Sequence, residues 1–212
     1  MHKGFFITLE GGDGCGKTTQ RQMLIDFLKQ KGIDFICTRE PGGSVAAEEI
    51  RQIILSGGKE KWDSISETLL FFAARRSHLV ETIWPALNDG KWVISDRFAD
   101  STMAYQGYGR ADGLLKKSDI EHLYSLVAGD FKPDLTIILD MDPEIALNRV
   151  AIRGQKDRME GMDLSFHHNL RNAFLDIAKN EPARCVVINA NQTPELVHAD
   201  IVKVISERLL QC

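Results

Sequence analysis

The sequence predicts an α/β fold with a five-stranded parallel sheet covered by helices on both faces. Short apolar runs alternate along the chain with longer segments of helical periodicity, a pattern typical of parallel strands joined by helical crossovers. Four of the five runs lack the alternation of apolar and polar residues that marks a half-exposed strand, so we expect strands buried on both faces. The predicted strands span residues 4–9, 35–38, 92–95, 135–139 and 185–188.

The segments between the strands carry helix signals. Thr193 followed by Pro194 is typical of a helix start, with the threonine as the N-cap and the proline in the first turn. Asp142 and Pro143 repeat that signal. Helices are predicted at residues 17–31, 44–56, 64–87, 116–128, 143–153, 164–180 and 194–210.

Length and composition limit the class of protein. The chain has 212 residues, of which 43% are hydrophobic, enough for the core of one domain, and it shows no internal repeat or linker. A net charge of −4 argues against an electrostatic nucleic-acid binder. No apolar run reaches membrane-spanning length, no secretory signal precedes the first strand, and the four cysteines lack metal-ligand spacing. We therefore expect a cytoplasmic single-domain protein with reduced thiols and no membrane or nucleic-acid partner.

A glycine-rich loop separates the first predicted strand from the first predicted helix. The segment GGDGCGKT, from Gly11 to Thr18, fits the phosphate-binding pattern G-x-x-x-x-G-K-[ST] in the required strand–loop–helix context. Backbone N–H groups and the helix N-terminus attract phosphate, a lysine reaches the β- and γ-phosphates, and a hydroxyl suits Mg²⁺. The predicted ATP contacts are Gly11, Gly12, Asp13, Gly14, Cys15, Gly16, Lys17, Thr18 and Thr19.

The loop alone leaves three classes of protein open: a switch GTPase, a motor ATPase and a small kinase. The guanine-reading pattern N-K-x-D is missing after the fourth and fifth strands, and motor ATPases are usually larger. A small kinase needs a second pocket for its acceptor. The segments 38–43 and 69–79 are candidates for it, although the first could be a simple turn and the second could be core. Within the second segment, Phe71 and Arg75 share a helix face and could stack and bond a base.

The segment after the third strand adds charged groups at the same edge of the sheet. Asp96 could hold Mg²⁺, and the adjacent Arg97 could hold a phosphate. Two polar stretches, 106–119 and 153–163, are either surface loops or lids, and arginines in a lid can neutralise charge during phosphoryl transfer. Three arginines lie close together around Gly154, in or just before the second stretch, and could serve this role or simply form a solvated basic helix end: Arg149, Arg153 and Arg158.

Taken together, these segments resemble bacterial thymidylate kinases. The resemblance rests on five motifs in order: EGGDGCGKTT, TREPGG, LLFFAAR, SDRFADSTMAYQG and DLTIILDMDPE. It implies a P-loop NTPase fold with a mobile lid at about residues 149–162, homodimer formation, and reversible transfer of the γ-phosphate of ATP to dTMP with Mg²⁺, in dTTP synthesis. It also implies that the segment 189–195 contacts adenine.

The resemblance further implies roles for individual residues. Phe71 would stack on thymine, Arg97 would hold the dTMP phosphate, and Tyr105 would pack against the deoxyribose, leaving little room for a 2′-hydroxyl. The implied dTMP site comprises Glu40, Pro41, Arg51, Phe71, Arg75, Arg97, Thr102, Tyr105 and Gln106; the implied catalytic set comprises Asp13, Lys17, Arg97, Arg149, Arg153 and Arg158; and the implied metal ligands are Thr18 and Asp96. Because position 15 of the loop is cysteine, the chain resembles the family type that carries its catalytic arginine in the lid.

Two alternatives stay open from the residues themselves. One is a small kinase acting on dUMP, a deoxynucleoside or a non-nucleotide acceptor. The other is a non-catalytic nucleotide-binding module, which would have no need of Arg97 or the lid arginines. The apolar segment 64–87 is equally compatible with a subunit interface and with core.

Overall fold

A computed structural model describes residues 4–58, 61–109, 114–154 and 162–210. Five parallel strands form one sheet in the order β2-β3-β1-β4-β5. The five predicted strands are confirmed, each within two residues of its expected ends. They are β1 (Phe6–Glu10), β2 (Phe35–Arg39), β3 (Trp92–Asp96), β4 (Leu135–Asp140) and β5 (Cys185–Asn189).

The predicted helices are also present. They form α1 (Lys17–Gln30), α2 (Val45–Leu55), α3 (Ser64–His78), α4 (Trp84–Asn88), α5 (Ala99–Thr102), α6 (Lys117–Ala128), α7 (Pro143–Arg153), α8 (Leu164–Asn180) and α9 (Pro194–Leu209). The predicted helix 64–87 consists of α3, a π-helical turn over Leu79–Ile83, and α4. Asp142 and Thr193 cap α7 and α9 as expected, each accepting a backbone N–H of the first turn.

One part of the prediction is wrong. Residues 106–109 were expected in a polar loop, but they belong to a helical segment made of α5 and a π-helical stretch over Met103–Gly109. The glycines and polar residues there favour a loop by local propensity. Packing prevails instead, because Ala104 and Tyr105 are buried against the α8 side chains Phe166 and Leu170.

The core occupies both faces of the sheet. On one face, α1 and α9 bury Leu24, Leu28 and Ile201 against the sheet. On the other face, α3 and its continuation cover β1 and β3, while α8 covers β4. The central strands β1, β3 and β4 are almost fully buried, as their uninterrupted apolar character predicts, whereas the edge strands β2 and β5 are more exposed.

Three cysteines in the described part of the chain, Cys15, Cys37 and Cys185, are free thiols, in line with the expected reduced state. In the same part of the chain, none of the helices has the length and apolar character needed to cross a bilayer.

Candidate active site

The glycine-rich loop lies between β1 and α1 in a conformation that only glycine adopts easily. Gly11, Gly14 and Gly16 have φ angles of 128°, 81° and 102°. A Cβ on Gly14 would also lie 2.2 Å from the carbonyl oxygen of Ala146 in α7. The loop therefore depends on glycine both for its turns and for its close approach to α7.

Lys17 is the first residue of α1 and is buried beneath the loop. Its Nζ donates hydrogen bonds to the carbonyl oxygens of Gly11 at 3.0 Å and Gly12 at 2.8 Å. The neighbouring Thr18 is exposed in the first helical turn, and the thiol of Cys15 is buried 3.7 Å from Nζ. The ammonium group is thus held at the loop, where a bound phosphate chain would meet it.

A cavity of about 240 Å³ opens beside this loop. Asp13 and Asp96 line it, and so do all the side chains predicted to form the acceptor site: Glu40, Pro41, Arg51, Phe71, Arg75, Arg97, Thr102, Tyr105 and Gln106. They come from the glycine-rich loop, α2, α3, the end of β3, α5, the π-helical stretch over Met103–Gly109 and the turns that follow β2 and β3. The fold therefore brings together residues that are up to 93 positions apart in sequence (13 to 106).

Arg97 stands at the junction of the loop and the cavity with an unusual backbone. Its φ angle of 68° is the only positive one at a non-glycine residue in the described part of the chain. Three hydrogen bonds hold this turn: Phe98 N–H donates to Glu10 Oε1 at 2.7 Å, the Ser95 hydroxyl donates to the Arg97 carbonyl at 2.7 Å, and Arg97 N–H donates to the Leu9 carbonyl at 3.0 Å. Strained backbone conformations persist where surrounding contacts enforce them, often at functional sites.

The side chain of Arg97 joins the two halves of the site. Its Nη2 donates to Asp13 and to the Tyr105 hydroxyl at 3.0 Å, while its Nη1 donates to the Gly11 carbonyl at 3.0 Å. The Tyr105 hydroxyl in turn donates to Asp13 Oδ2 at 2.9 Å. Burial would raise the pKa of Asp13, but the charges of Arg97 and Lys17 outweigh it and lower that pKa to about 2. Asp13 is therefore ionised at neutral pH.

Glu10 lies behind this junction and is fully buried. Its two carboxylate oxygens accept hydrogen bonds from Phe98 N–H and from the Ser101 hydroxyl. Burial and the nearby charge of Asp100 raise the pKa of Glu10 to about 7. This carboxyl group anchors the turn that carries Arg97.

Arg75 forms the far wall of the cavity and is only 1% exposed. Its guanidinium lies between the rings of Phe72 and Phe98, at 5.0 and 5.1 Å from their centroids. Nε donates to Glu40 Oε2 at 2.8 Å and Nη2 donates to the Thr102 hydroxyl at 2.9 Å. Nη1 has no partner among the described residues. Arg75, which lines the cavity, thus has one buried, charged donor without an acceptor among the described residues.

Gln106 lines the same cavity as Arg75 and contributes a hydrogen-bond acceptor rather than a donor. Its amide nitrogen donates to Glu67 Oε2 at 3.2 Å. Since a carboxylate only accepts, that contact fixes which end of the amide faces Glu67. The amide oxygen is then left buried without a partner among the described residues.

Comparison with known proteins identifies the family. The sequence model of the thymidylate kinase family matches residues 9–201. The chain is 47% identical to a thymidylate kinase of Caulobacter vibrioides, with 99% of each chain covered, and 49% identical to one of Bradyrhizobium diazoefficiens, with 98% of this chain and 91% of that protein covered. The chain belongs to the thymidylate kinase family.

A solved structure agrees with this membership. The crystal structure of thymidylate kinase from Ehrlichia chaffeensis matches with a TM-score of 0.77 and 40% identity, covering 96% of this chain and 99% of that one. Together with the five-stranded parallel sheet, the match places this family member in the P-loop NTPase fold and among the kinases.

The two metal ligands predicted for the family member lie on different elements. Thr18 is exposed at the start of α1, and Asp96 is half-buried at the carboxyl end of β3, where it lines the acceptor cavity. Among the described residues, no group of three or more histidine, cysteine, aspartate or glutamate side chains could hold a metal ion. Magnesium in kinases needs no such group, because one or two hard oxygen ligands combine with substrate phosphates and water. The donor set therefore fits Mg²⁺.

The predicted lid is described only at its ends. Arg149 is exposed on α7, and Arg153 is the last residue of that helix, which ends at Gly154 with a φ angle of 88°. Arg158 lies outside the described residues. The assignment of a mobile lid to residues 149–162, and of a catalytic role to its arginines, stays a prediction.

Several residues that shape the site were missed by the sequence analysis. They are Glu10, Thr38, His78 and Phe98, together with Leu55 at the edge of the cavity. Glu10 carried a signal, since a carboxylate that ends an otherwise apolar buried strand needs a partner. The sequence around His78 gave no comparable signal, because its hydrogen-bond partners Glu40 and Thr38 lie 38 and 40 positions away.

Proposed function

We propose that this chain transfers the γ-phosphate of ATP to dTMP, forming ADP and dTDP, with Mg²⁺ as cofactor. A donor site at the glycine-rich loop and a separate acceptor cavity beside it suit a kinase with two nucleotide substrates. Membership of the thymidylate kinase family supports the same reaction.

One observation carries the choice of base: within the described part of the chain, a donor on Arg75 and an acceptor on Gln106 are buried without partners, and both residues line the same cavity. Thymine offers a complementary edge, with O4 as an acceptor and N3–H as a donor. Cytosine reverses both groups, with an amino donor at position 4 and an acceptor at N3. Since an unpaired buried polar group costs about 1–3 kcal/mol, this wall of the cavity favours thymine over cytosine.

The remaining wall suits a flat base on a deoxyribose. The half-buried ring of Phe71 lines the cavity and would stack on thymine, and Arg51 is held near it by donating to the Pro41 carbonyl at 2.6 Å. The buried ring of Tyr105 would lie against the sugar, where a 2′-hydroxyl would have to fit against it. The cavity is therefore expected to accept dTMP in preference to its ribose counterpart.

The charged groups are arranged for in-line transfer. Arg97 would hold the acceptor phosphate, while Lys17 and the loop N–H groups would hold the donor phosphates. The acceptor oxygen already belongs to an ionised phosphate, so no general base is required. Positioning and electrostatic stabilisation then supply most of the rate enhancement. Arginines of the lid would add positive charge and exclude water on closure.

Thr18 and Asp96 would hold the magnesium ion, Asp96 directly or through water. When bound, the ion neutralises charge on the donor phosphates. We also propose that residues 1–212 form one kinase domain and that the protein is cytoplasmic. All five strands in the described parts of the chain belong to a single sheet, which supports one domain.

We also propose a homodimer. Exposed apolar side chains cluster on the packed pair α2 and α3 and on the turn after them: Val45, Ile65, Leu69 and Val80 are 78%, 42%, 50% and 46% exposed. A second copy of the chain would bury them. Light scattering of the purified protein should give twice the 23.8 kDa of one chain, and a monomer at micromolar concentration would contradict this.

The test of the proposed function is ADP release with ATP and Mg²⁺ in the presence of different acceptors. The acceptors are dTMP, dUMP, ribothymidine monophosphate, dCMP, dGMP and thymidine. We expect strong stimulation by dTMP, weak stimulation by the ribose form and by dCMP, and none by thymidine. Stimulation by dUMP measures the contribution of the 5-methyl group. A chain that binds ATP without turnover on any acceptor would instead be a nucleotide-binding module.

A further inference from the structure

A buried chain of hydrogen bonds runs from β2 to the base-reading arginine through a histidine. The Thr38 hydroxyl lies 2.6 Å from His78 Nε2, and His78 Nδ1 lies 3.0 Å from Glu40 Oε1. Glu40 Oε2 accepts from Arg75 Nε at 2.8 Å. All four side chains are at most 7% exposed, and His78 is completely buried. These contacts connect His78 to Arg75 through a single carboxylate.

Charge balance indicates how the protons are arranged. Glu40 is buried beside one permanent cation, Arg75, and the pair is neutral without a further charge. A carboxylate only accepts, so His78 donates to Glu40 from Nδ1, and the tautomer protonated at Nδ1 accepts at Nε2 from the Thr38 hydroxyl. In this arrangement each polar atom of the imidazole has one partner of the required kind.

The backbone at Gly43 and Glu40 packs closely around this hydrogen-bonded chain. A Cβ on Gly43, whose φ is 88°, would lie 2.3 Å from the Thr38 hydroxyl oxygen and 2.4 Å from His78 Nε2. Gly43 therefore lies directly against this pair, and the backbone N–H of Glu40 donates to the Asp96 carbonyl at 2.9 Å. A side chain at position 43 would therefore displace the Thr38–His78 pair.

We propose that His78 is a positioning residue for the acceptor base, acting through Glu40 to orient the guanidinium of Arg75. The inference rests on the proposed function. Glu40 fixes Arg75 in the plane that leaves Nη1 as the one nitrogen without a partner among the described residues. His78 fixes Glu40 by occupying its other oxygen. Without that contact the carboxylate can rotate, and the direction of the unpaired N–H changes with it.

Loss of the bond between His78 and Glu40 should affect recognition of the base at position 4 only. Arg75 distinguishes a carbonyl from an amino group at position 4, so a misdirected guanidinium weakens the preference for dTMP over dCMP. It leaves the preference for dTMP over dUMP unchanged, because both bases carry the same oxygen at that position. The loss is expected in KM for dTMP rather than in kcat, since the base is bound equally in the ground and transition states.

Two substitutions of His78 separate positioning from mere packing. In His78→Asn the side-chain amide nitrogen can occupy the place of Nδ1 and keep the bond to Glu40. In His78→Gln the amide reaches the place of Nε2, next to Thr38, and the bond to Glu40 is lost. Thr38→Val keeps the shape of threonine and removes the hydroxyl that orients the imidazole. Ser77→Ala is the matched control, because Ser77 is a half-buried neighbour in α3 that bonds Ser44 and Glu81 instead.

The measurement is the ratio of kcat/KM for dTMP to that for dCMP, with dUMP as a second reference. The ratio does not depend on the fraction of enzyme that is folded, because both substrates sample the same active molecules. We expect it to fall about tenfold in His78→Gln and about threefold in Thr38→Val, and to stay within about twofold of wild type in His78→Asn and Ser77→Ala. The ratio of dTMP to dUMP should stay constant in all four variants.

The outcomes distinguish the inference from the proposed function. A wild-type chain without dTMP-dependent turnover overturns the proposed function and the inference with it. An active wild type whose ratio is unchanged in His78→Gln and Thr38→Val overturns the inference alone. Equal losses in His78→Asn and His78→Gln also overturn it, because packing rather than the bond to Glu40 would then explain the effect.

Discussion

Arg97, from the turn after β3, donates to the carboxylate of Asp13, from the loop after β1, and thereby joins the acceptor cavity to the phosphate-binding loop. Both side chains are partly buried, at 16% and 18% exposure, so the pair is shielded from bulk water yet open to a ligand. An acceptor phosphate entering the cavity would meet Arg97 in a fixed orientation, with its charge already aligned by Asp13.

Replacing Arg97 should therefore damage acceptor use more than donor binding. Arg97→Lys keeps the charge but loses the planar set of donors that reaches Asp13, Tyr105 and Gly11 together. We expect kcat/KM for dTMP to fall about a hundredfold or more, with the KM for ATP within about threefold of wild type. Steady-state kinetics with each substrate varied in turn measures both constants.

Arg39 provides the control for that substitution. It lines the same cavity at its exposed rim and pairs with Glu48 at 3.0 Å. Because exposed ion pairs contribute little, Arg39→Lys should change kcat/KM by less than about threefold. A comparable loss in both variants would mean that general charge, rather than the geometry of Arg97, governs acceptor use.

Two glycines of the loop should differ sharply in their tolerance of a methyl group. Gly14 has a φ of 81°, and its Cβ would lie 2.2 Å from the Ala146 carbonyl oxygen, whereas a Cβ on Gly12 would meet nothing within 4 Å. We expect Gly14→Ala to lower the free energy of unfolding by about 2 kcal/mol or more and Gly12→Ala to change it by less than about 0.5 kcal/mol. Urea denaturation without nucleotide gives both values, and equal destabilisation would contradict the placement of α7 against the loop.

The buried carboxyl group of Glu10 should make stability depend on pH. Burial raises its pKa from an ordinary 4.5 to about 7 in the folded state. Between these two values the folded state retains a proton that the unfolded state releases, so the free energy of unfolding falls as the pH rises through about 7. From this source alone, the fall from about pH 5 to about pH 8 amounts to roughly 2–3 kcal/mol.

Glu10→Gln removes the titrating group while keeping an acceptor for the N–H of Phe98. The variant should show a flatter dependence of unfolding free energy on pH than wild type, measured by denaturation at several values between about pH 5 and pH 8. Asp13 does not titrate between about pH 5 and pH 8, because its pKa is lowered to about 2; its contribution to the free energy of unfolding is lost only at lower pH. Parallel curves for wild type and variant would show that Glu10 is ionised at neutral pH.

The ring and the hydroxyl of Tyr105 should serve different purposes. The hydroxyl bridges Arg97 and Asp13, whereas the ring lies 5.0 Å from the Arg97 guanidinium carbon and forms part of the cavity wall. Tyr105→Phe should raise the KM for dTMP several-fold, since the hydrogen bonds of the hydroxyl to Arg97 and Asp13 are lost, and should keep the preference for deoxyribose, since the ring remains. Tyr105→Ala should lower that preference, measured as the ratio of kcat/KM for dTMP to that for ribothymidine monophosphate. An unchanged ratio in the alanine variant would exclude the ring as the sugar discriminator.

The sequence predicted the elements best where a single physical cause dominates. Uninterrupted apolar runs located the buried strands, and the pairs Asp142–Pro143 and Thr193–Pro194 located two helix starts. The prediction was wrong for residues 106–109, because their glycines and polar side chains favour a loop and only the packing of the segment Met103–Gly109 against α8 makes them helical. Local propensity cannot report a partner that lies more than fifty residues further along the chain.

The residues of the candidate site also differ in how well the sequence predicted them. Residues with a strong local pattern, such as Lys17 in the loop and Arg97 at a strand end, were placed from sequence. Those that act by supporting others were not: Glu10 and His78 contact the backbone or side chains of distant segments. A carboxylate at the end of an apolar buried strand indicates that Glu10 needs a partner, but the local sequence does not identify the partner of either residue. Their importance becomes visible only when burial and hydrogen-bond partners are known.

The most direct test of the central claim is to follow the γ-phosphate itself. ATP labelled in the γ-position is incubated with the protein and Mg²⁺, with and without dTMP, and the labelled products are separated. We expect the label to appear in dTDP when dTMP is present and little labelled inorganic phosphate to form without it. Label found only in inorganic phosphate, in equal amounts with and without dTMP, would instead show an ATPase that does not use this acceptor.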